Sequence, residues 1–310
     1  MQATSIRIGT RGSPLALAQA HEVRDRIAKA HGLPLDAISI TVIKTTGDQV
    51  LDRPLADIGG KGLFTKEIED ALIANEIDVA VHSMKDVQTA LTDGLIIGAI
   101  LPREDVRDAF ISLKHKSIDD LPKGAVVGTS SLRRQAQLLN TRPDLQVIGF
   151  RGNVQTRLKK LQDGVAEATF LAVAGLNRLG MSDRITAAIA LDQMLPAVAQ
   201  GAIGLEIRAG DEATADLIAP LNHAESALAV TAERAFLTRL EGSCRTPIAG
   251  HAYLADGKLH FLGRVLSTDG KVSYAVSRVG APETALAMGH SAADEVLANA
   301  DPAALVRPTT

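Results

Sequence analysis

The sequence predicts an α/β protein with two similar lobes, followed by a small α+β part. Three observations lead to this fold class. Short apolar runs alternate with helical patterns through about residue 220, and two stretches of this region contain the same elements in the same order. After residue 223, three short apolar runs follow one another before a final helical pattern, which is typical of an α+β domain.

Composition is typical of a globular protein with more than one domain. The chain has 310 residues, of which 46% are hydrophobic and 22% are charged, so it can form two or three cores. Aromatic residues make up only 3% and Trp is absent, so the core must consist mainly of Ala, Leu, Ile and Val.

Charge and hydropathy exclude several kinds of partner. Residues 1–10 lack a secretion-signal pattern, and no run approaches the roughly 20 apolar residues that cross a bilayer, so we expect a cytoplasmic protein without a membrane partner. The formal net charge of −3 argues against nucleic-acid binding. An anionic ligand would therefore need a local group of cations.

The elements of the two lobes follow from their apolar runs and from the residues that precede each helix. In the first lobe we predict strands at 5–9, 38–44 and 78–82, with helices from Ser13 and near Leu63. In the second lobe we predict strands at 125–128, 145–150 and 168–173, with helices from about Ser131 and Asn153.

Matching residues support a repeat. Gly9-Thr10 ends a strand in the first lobe, and Gly128-Thr129 ends its counterpart 119 positions later. Lys61-Gly62 and Arg151-Gly152, which are 90 positions apart, both precede helices. We therefore predict two related lobes that face a cleft.

The remaining elements complete a three-domain organisation. A strand at 201–208 is expected to return to the first lobe; it is followed by a helix at 223–240, strands at 250–254, 258–264 and 272–277, and a helix at 282–299. The predicted domains are 1–101 with 202–220 as a catalytic lobe, 105–197 as a binding lobe, and 223–310 as an α+β domain that carries the single cysteine, Cys244.

Cationic side chains follow strands in both lobes, at the points where helices begin. They are Arg11 in the first lobe and Arg133, Arg134, Arg151 and Arg157 in the second. Free N–H groups at a helix start attract anions, and the planar guanidinium suits carboxylates. Any one of these arginines could instead be solvated or paired on the surface. Their repetition at equivalent junctions favours a ligand with several carboxylates.

A second group, Ser83, Lys85 and Asp86, follows the apolar strand at 78–82 directly. The carboxyl ends of strands in α/β proteins usually present ligand-binding groups. The 90-residue repeat places Gly175 and Leu176 at the positions of Lys85 and Asp86, so only the first lobe has this ionisable pair. The pair could carry chemistry, or it could be a structural ion pair that closes a loop.

Cys244 is the only cysteine, so the chain has no internal disulfide and no multi-cysteine zinc site. A lone cysteine is commonly a small buried apolar residue. Here it lies in a Gly-containing loop next to Arg245, and a cationic neighbour promotes thiolate chemistry. The residues themselves allow either role. No motif spacing predicts a metal, nicotinamide or ATP site.

Eight segments form an ordered series along nearly the whole chain: TRGSPLAL at 10–17, GGKGLF at 59–64, VHSMKD at 81–86, GTSSLRR at 128–134, RGNV at 151–154, LAVAGL at 171–176, ERAF at 233–236 and EGSC at 241–244. In this series the chain resembles the porphobilinogen deaminase (hydroxymethylbilane synthase) family. The resemblance implies three domains, of which the first two are like type II periplasmic binding proteins.

The resemblance also implies a function. A member of this family is a transferase of heme and tetrapyrrole biosynthesis, and it condenses four porphobilinogen units into hydroxymethylbilane with release of ammonia. By resemblance, one dipyrromethane cofactor per chain is bound covalently to Cys244, Asp86 is the catalytic carboxylate, and the protein is a monomer. The same resemblance assigns substrate and cofactor contacts to the five arginines above and to Ser13, Lys61, Ser83, Lys85, Thr129, Ser131, Arg178 and Gln200.

Three positions depart from the residues usual in this family: Ser243 and Ala199 replace glycine, and Gln88 lies where proline is common. None of these changes removes a named chemical group. Two other functions compete with the resemblance. A two-lobed binding protein for an organic anion would explain the arginines but not Cys244 or Asp86, and an enzyme that forms a Schiff base would use Lys85.

Overall fold

The computed structural model describes residues 6–49, 62–240 and 247–300. Lys61, Ser243 and Cys244 lie outside these described residues. The chain forms two compact units, one of Met1–Glu104 with Gly201–Ala227 and the other of Asp105–Gln200 with Leu228–Thr310. The domain boundaries that we infer from the sequence stay a prediction.

The first unit contains a five-stranded mixed sheet. Its strands are β1 (Ile6–Arg11), β2 (Ile38–Ile43), β3 (Val79–Ser83), β4 (Leu95–Ile100) and β10 (Ile203–Arg208). Their order is β2-β1-β3-β10-β4; β1 runs parallel to β2 and β3, and β10 runs antiparallel to β3 and β4. The sequence-based expectation that a late strand returns to the first lobe is therefore confirmed by β10.

Helices cover both faces of this sheet. They are α1 (Pro14–His31), α2 (Thr46–Gln49), α3 (Lys66–Ile73) and α7 (Glu212–Ile218). Apolar residues of α1 pack with Ile8, Val79 and Val81 on one face, whereas α3 packs against Ala80 on the other. Successive strand residues alternate between faces, so β3 contributes to two cores.

The second unit contains a sheet with the equivalent strand order, β7-β6-β8-β5-β9. Its strands are β5 (Asp108–Ser112), β6 (Val126–Gly128), β7 (Gln146–Ile148), β8 (Ala168–Ala172) and β9 (Ala187–Ala188), and its helices are α4 (Leu132–Thr141), α5 (Val154–Gln162) and α6 (Val173–Arg178). In this sheet β5 is the strand that runs antiparallel to its neighbours.

The shared order supports the predicted repeat and corrects its register. Gly9 pairs with Ala80 in the first sheet, and Gly128 pairs with Thr169 in the second. Equivalent positions of β3 and β8 are therefore 89 residues apart, not 90. Asp86 corresponds to Gly175, so the carboxylate is still present in the first lobe alone.

The second unit also contains a three-stranded antiparallel sheet of β11 (Ile248–Ala255), β12 (Lys258–Leu266) and β13 (Ser273–Gly280). Residues of α8 (Ala224–Arg239) and α9 (Ala285–Asn299) form a core with one face of this sheet. The predicted class, two α/β lobes with a small α+β part, is thus confirmed. Asn140 of α4 binds the α+β part, because its Nδ2 donates to the Gly270 carbonyl at 2.7 Å and its Oδ1 accepts from Arg264 at 2.6 Å.

Side-chain caps explain where three of the predicted helices begin. Ser13 accepts from the Ala16 N–H, Ser131 from the Arg134 N–H, and Asn153 from the Thr156 N–H. Pro14 occupies the first turn of α1, where its missing N–H costs nothing. None of the helices within the described ranges is long and apolar enough to cross a membrane.

Gly289 allows α9 to approach α8 closely. A Cβ atom at this position would lie 2.2 Å from the Ala232 carbonyl oxygen and 2.6 Å from the Ala235 Cβ. The first of these is a backbone atom, so a rotamer change cannot relieve the clash, and the two helices would have to move apart.

We predict that Gly289→Ala destabilises the protein although alanine has the higher helix propensity. Overpacking of this kind costs about 1–3 kcal/mol, which denaturant unfolding measures. Ala287→Ser, on the exposed side of the same helix, serves as the control and should change stability by less than about 0.5 kcal/mol. Equal stability of Gly289→Ala and wild type would contradict the close packing.

Candidate functional site

A pocket lies where β1 and β3 end in the first unit. Arg11 is the last residue of β1, Ser83 is the last residue of β3, and both line the pocket. Ser13 and Asp86 of the predicted site also line it. The carboxyl ends of these parallel strands are adjacent, so side chains that are distant in sequence meet at one edge of the sheet.

A short 3₁₀ turn, Met84–Asp86, presents Asp86 at this edge. The Met84 N–H donates to the Ala202 carbonyl at 3.0 Å, and the Val87 N–H donates back to the Met84 carbonyl at 3.3 Å. Met84 is buried, whereas Lys85 and Asp86 are exposed. The turn is thus fixed by its backbone and its buried methionine, and the carboxylate of Asp86 is accessible to a ligand.

Four further polar or aromatic residues of the pocket wall were not singled out by the sequence reasoning. Phe64 stacks under Arg11, whose guanidinium carbon lies 4.1 Å from the ring centroid. Gln19 donates from Nε2 to the Ser83 hydroxyl at 2.9 Å. Thr65 and His82, both buried, also line the pocket. Phe64 and His82 lie within segments that carry the family resemblance, which is the signal that could have identified them.

In the second unit, two predicted arginines are buried rather than open to solvent. Arg133 donates from Nη1 to Asp108 Oδ2 and to the Leu195 carbonyl, both at 2.7 Å. Arg134 donates from Nη2 to Asp108 Oδ1 at 2.7 Å and from Nη1 to the Phe170 carbonyl at 2.8 Å. Asp108, which the sequence reasoning missed, has no exposed surface. One carboxylate thus orients two guanidinium groups.

Burial and the charges within this group shift the pKa values of Asp108 and Arg133. Burial by itself raises the pKa of Asp108, but the positive charges of Arg133 and Arg134, with their hydrogen bonds, outweigh burial and hold the pKa well below its usual range. Burial lowers the pKa of Arg133, and the carboxylate of Asp108 opposes that effect. At neutral pH the group has two cations and one anion, and therefore a net positive charge.

Arg157 adds a further cation to the second unit. Burial, and then the nearby charges of Arg134 and Arg151, lower the pKa of Arg157 to about 10. Its Nε donates to the Gly152 carbonyl at 2.9 Å, and it makes no ion pair within the described part of the chain. Positive charges that repel one another in a half-buried place favour an anionic ligand.

The remaining predicted residues occupy several environments. Thr129 is buried and accepts from the Ser131 N–H at 3.2 Å, which shapes the start of α4. Gln200 is buried and donates to Asp108 Oδ1 at 3.1 Å. Arg178 lies half-buried in the last turn of α6. No group of three or more metal-binding side chains occurs among the residues that the structure describes.

Two of the three positions that depart from the family pattern are described. Ala199 has a φ of 59°, which favours glycine and costs an alanine about 1–2 kcal/mol. Its N–H donates to the buried Glu233 carboxylate at 2.6 Å. Gln88 packs against Gly62, where any Cβ atom would lie 2.5 Å from the Gln88 amide nitrogen.

Comparison with known proteins decides the family. A family model described as "Porphobilinogen deaminase, dipyromethane cofactor binding domain" matches residues 6–216, and one described as "Porphobilinogen deaminase, C-terminal domain" matches residues 227–298. The chain belongs to the porphobilinogen deaminase family. It is 63% identical to the porphobilinogen deaminase of Paracoccus denitrificans (strain Pd 1222) over 94% of this chain and 93% of that one.

A second relative and one solved structure are also similar to this chain. The chain is 57% identical to the chloroplastic porphobilinogen deaminase of Pisum sativum, over 96% of this chain and 82% of the plant protein. Among solved structures, the methionine-binding protein MetQ is similar over 71% of this chain and 90% of its own, with 12% identity and a TM-score of 0.45.

The cations of the second unit fit the cofactor that the family model names. A dipyrromethane made from two porphobilinogen units carries acetate and propionate groups, so it is a multiple carboxylate. Arg133 and Arg134 share the carboxylate of Asp108, and burial together with the charges of Arg134 and Arg151 lowers the pKa of Arg157. Carboxylates are the anions that such donors bind best.

We predict that Asp108→Asn destabilises the protein by about 3–5 kcal/mol, because it leaves two buried cations without an anion. The pKa of Asp108 is lower in the folded state than in the unfolded chain. Its stabilising effect is therefore complete above about pH 4 and is lost as pH falls. Denaturant unfolding at pH 7 measures the loss of unfolding free energy in Asp108→Asn. The same measurement in acid should give a smaller difference between the variant and the wild type.

Asp163→Asn is the matched control for this prediction. Asp163 pairs with Lys159 at 3.0 Å, but both side chains are largely exposed. Exposed pairs of this kind contribute at most about 1 kcal/mol. If Asp108→Asn were as mild as this control, the two arginines would not depend on the buried carboxylate.

Proposed function

We propose that this chain condenses four porphobilinogen units head to tail, with release of ammonia, to give the linear tetrapyrrole hydroxymethylbilane. Family membership over nearly the whole chain is the single observation that carries this proposal. The pocket with Asp86 and the cations of the second unit support it, because the reaction needs a carboxylate beside a developing positive charge and cations for the acidic side chains of the substrate.

Asp86 is proposed as the catalytic carboxylate. When ammonia leaves the aminomethyl group of porphobilinogen, positive charge develops on the methylene carbon and the pyrrole ring. A fixed carboxylate that accepts the pyrrole N–H stabilises this charge, and stabilisation of this kind is often the largest catalytic contribution. The backbone of the Met84–Asp86 turn is held by Ala202, so the carboxylate needs little reorganisation.

The arginines are proposed to bind and orient carboxylates. Arg11, beside Asp86, would hold a side arm of the incoming unit, and its stacking on Phe64 fixes the guanidinium plane. Arg134, Arg151 and Arg157 would hold the dipyrromethane and the growing chain, with Arg133 and Asp108 behind them. When bound, the dipyrromethane supplies the terminal pyrrole carbon that is extended.

The smaller assignments follow the same proposal. Cys244 would attach the dipyrromethane through a thioether, and Lys61, Ser13, Ser83, Lys85, Thr129, Ser131, Arg178 and Gln200 would be further contacts. Asp86 lines the pocket, which favours a carboxylate mechanism over a Schiff base on Lys85. From the family resemblance we further propose that the protein acts in the cytoplasm as a monomer, without nucleic acid or a membrane.

We predict that the purified protein has a mass greater than its sequence mass by two condensed pyrrole units, and that Cys244→Ala lacks this excess. The reason is that Cys244 is the only cysteine. Intact-protein mass spectrometry measures the difference, and native conditions in the same instrument report the oligomeric state. An active protein with the unmodified sequence mass would overturn covalent attachment, and a native dimer would overturn the monomer.

We predict that Asp86→Ala keeps the fold but lowers the rate of ammonia release from porphobilinogen by at least about 10²-fold, the usual effect of removing a preorganised charge. Asp93→Ala, which removes an exposed carboxylate of a nearby loop, is the control and should retain the wild-type rate. Circular dichroism verifies folding. A rate for Asp86→Ala close to that of Asp93→Ala would remove Asp86 from the mechanism.

A further inference from the structure

His82, which lines the pocket, forms a buried pair with a second ionisable side chain, and the mechanism above gives this pair no role. His82 Nε2 lies 2.9 Å from Glu206 Oε2. His82 is 5% exposed and Glu206 is not exposed at all. Burial of two such groups in a sheet costs free energy, which only their pairing and hydrogen bonds offset.

The sheet brings this pair together from distant parts of the chain. His82 is in β3 and Glu206 is in β10, and the two strands pair antiparallel with Gly204 opposite His82 and Glu206 opposite Ala80. Side chains two positions apart share a face, so His82 lies on the same face as Ala80, which packs against α3. Both side chains are thus held by strands rather than by mobile loops.

His82 connects this buried carboxylate to the pocket. It lines the same pocket as Arg11 and Asp86, with Glu206 behind it. Within the described residues, its Nδ1 has no hydrogen-bond partner, and Glu206 Oε1 has none either. A carboxylate that accepts from one ring nitrogen favours the tautomer with the hydrogen on Nε2, which leaves a lone pair on Nδ1.

The proposed reaction needs an acceptor of this kind. In each condensation a new carbon–carbon bond joins the α-carbon of the attacking pyrrole to the methylene carbon of the incoming unit. The C–H bond at that α-carbon must then break, and its electron pair restores the aromatic ring. A base has to accept the proton that is released.

We propose that His82 is a further catalytic residue of the pocket, whose Nδ1 accepts this proton while Glu206 stabilises the imidazolium that forms. The inference rests on the proposed function. His82 then passes the proton to the released ammonia or to water, which restores the neutral ring for the next unit. A buried carboxylate behind a histidine acts in the same way in the Ser-His-Asp triad.

A separate acceptor also keeps Asp86 available. If Asp86 accepted the proton it would become neutral, and it could not stabilise the next positive charge until it had lost that proton again. With His82 as the acceptor, Asp86 stays a carboxylate through every round. The two groups therefore have different tasks in one pocket, which substitution can separate.

The deciding experiment uses porphobilinogen that carries deuterium at its free α-carbon. We expect His82→Gln to lower kcat by about 10²–10⁴-fold, the usual contribution of a general base, with little change in KM. Loss of the proton then limits the rate, so the deuterium isotope effect rises above that of the wild type. Glu206→Gln should also lower kcat and raise the deuterium isotope effect, but by less than His82→Gln.

Asp86→Ala is the contrasting variant. It slows carbon–nitrogen cleavage, which precedes proton loss, so its isotope effect should not exceed that of the wild type. A purely structural role for His82 would lower kcat without raising the isotope effect. Intact mass and circular dichroism of every variant verify that the cofactor is attached and the fold is kept.

A second measurement does not depend on turnover. In protein labelled with ¹⁵N at histidine, we expect the His82 ring signals of the tautomer protonated at Nε2, and a mixture of tautomers in Glu206→Gln. A ring protonated at Nδ1, or wild-type kcat and isotope effect in His82→Gln, would overturn the assignment to His82. If the wild type itself released no ammonia from porphobilinogen, the proposed function would fail instead.

Discussion

The buried carboxylate of Asp108 is the interaction on which the second unit depends. It allows Arg133 and Arg134 to be buried side by side at the start of α4, with each guanidinium held at 2.7 Å. Without an anion, two adjacent cations inside a protein would repel each other and lose their hydration. The same carboxylate accepts from Gln200, so it also holds the side chain of that residue.

One carboxylate, Asp108, faces two guanidinium groups, so this part of the second unit has a net positive charge. Burial, and then the charges of the nearby Arg134 and Arg151, lower the pKa of Arg157. A protein with a formal net charge of −3 therefore concentrates cations in one place. The field of such a cluster acts on a multiply charged anion more strongly than the overall charge would indicate.

The two lobes have equivalent strand orders but different chemistry. In the first lobe the equivalent edge of the sheet presents Asp86, and His82 of the pocket wall pairs with the buried Glu206. In the second lobe the position of Asp86 corresponds to Gly175. A repeated fold thus supplies two platforms whose strand ends carry different side chains: a carboxylate beside a buried histidine in the first lobe, and clustered arginines in the second.

Much of the fold could be predicted because periodic patterns are local. The strands β1, β3, β8 and β10 and the caps Ser13, Ser131 and Asn153 each depend on a few consecutive residues. The strand β5 was missed because its apolar part follows the charged segment Arg103–Arg107, which is typical of a loop. The two-residue β9 is too short to give a periodic signal.

The sequence by itself determined the family, the repeat, and the chemical types at the strand ends, because these depend on residue identity and order. Only the tertiary structure decided which charges face each other. Asp108 is 25 residues from Arg133, and Glu206 is 124 residues from His82. Contacts across such separations are created by strand pairing, in which an antiparallel strand from a distant part of the chain enters a parallel sheet, and no local pattern records that pairing.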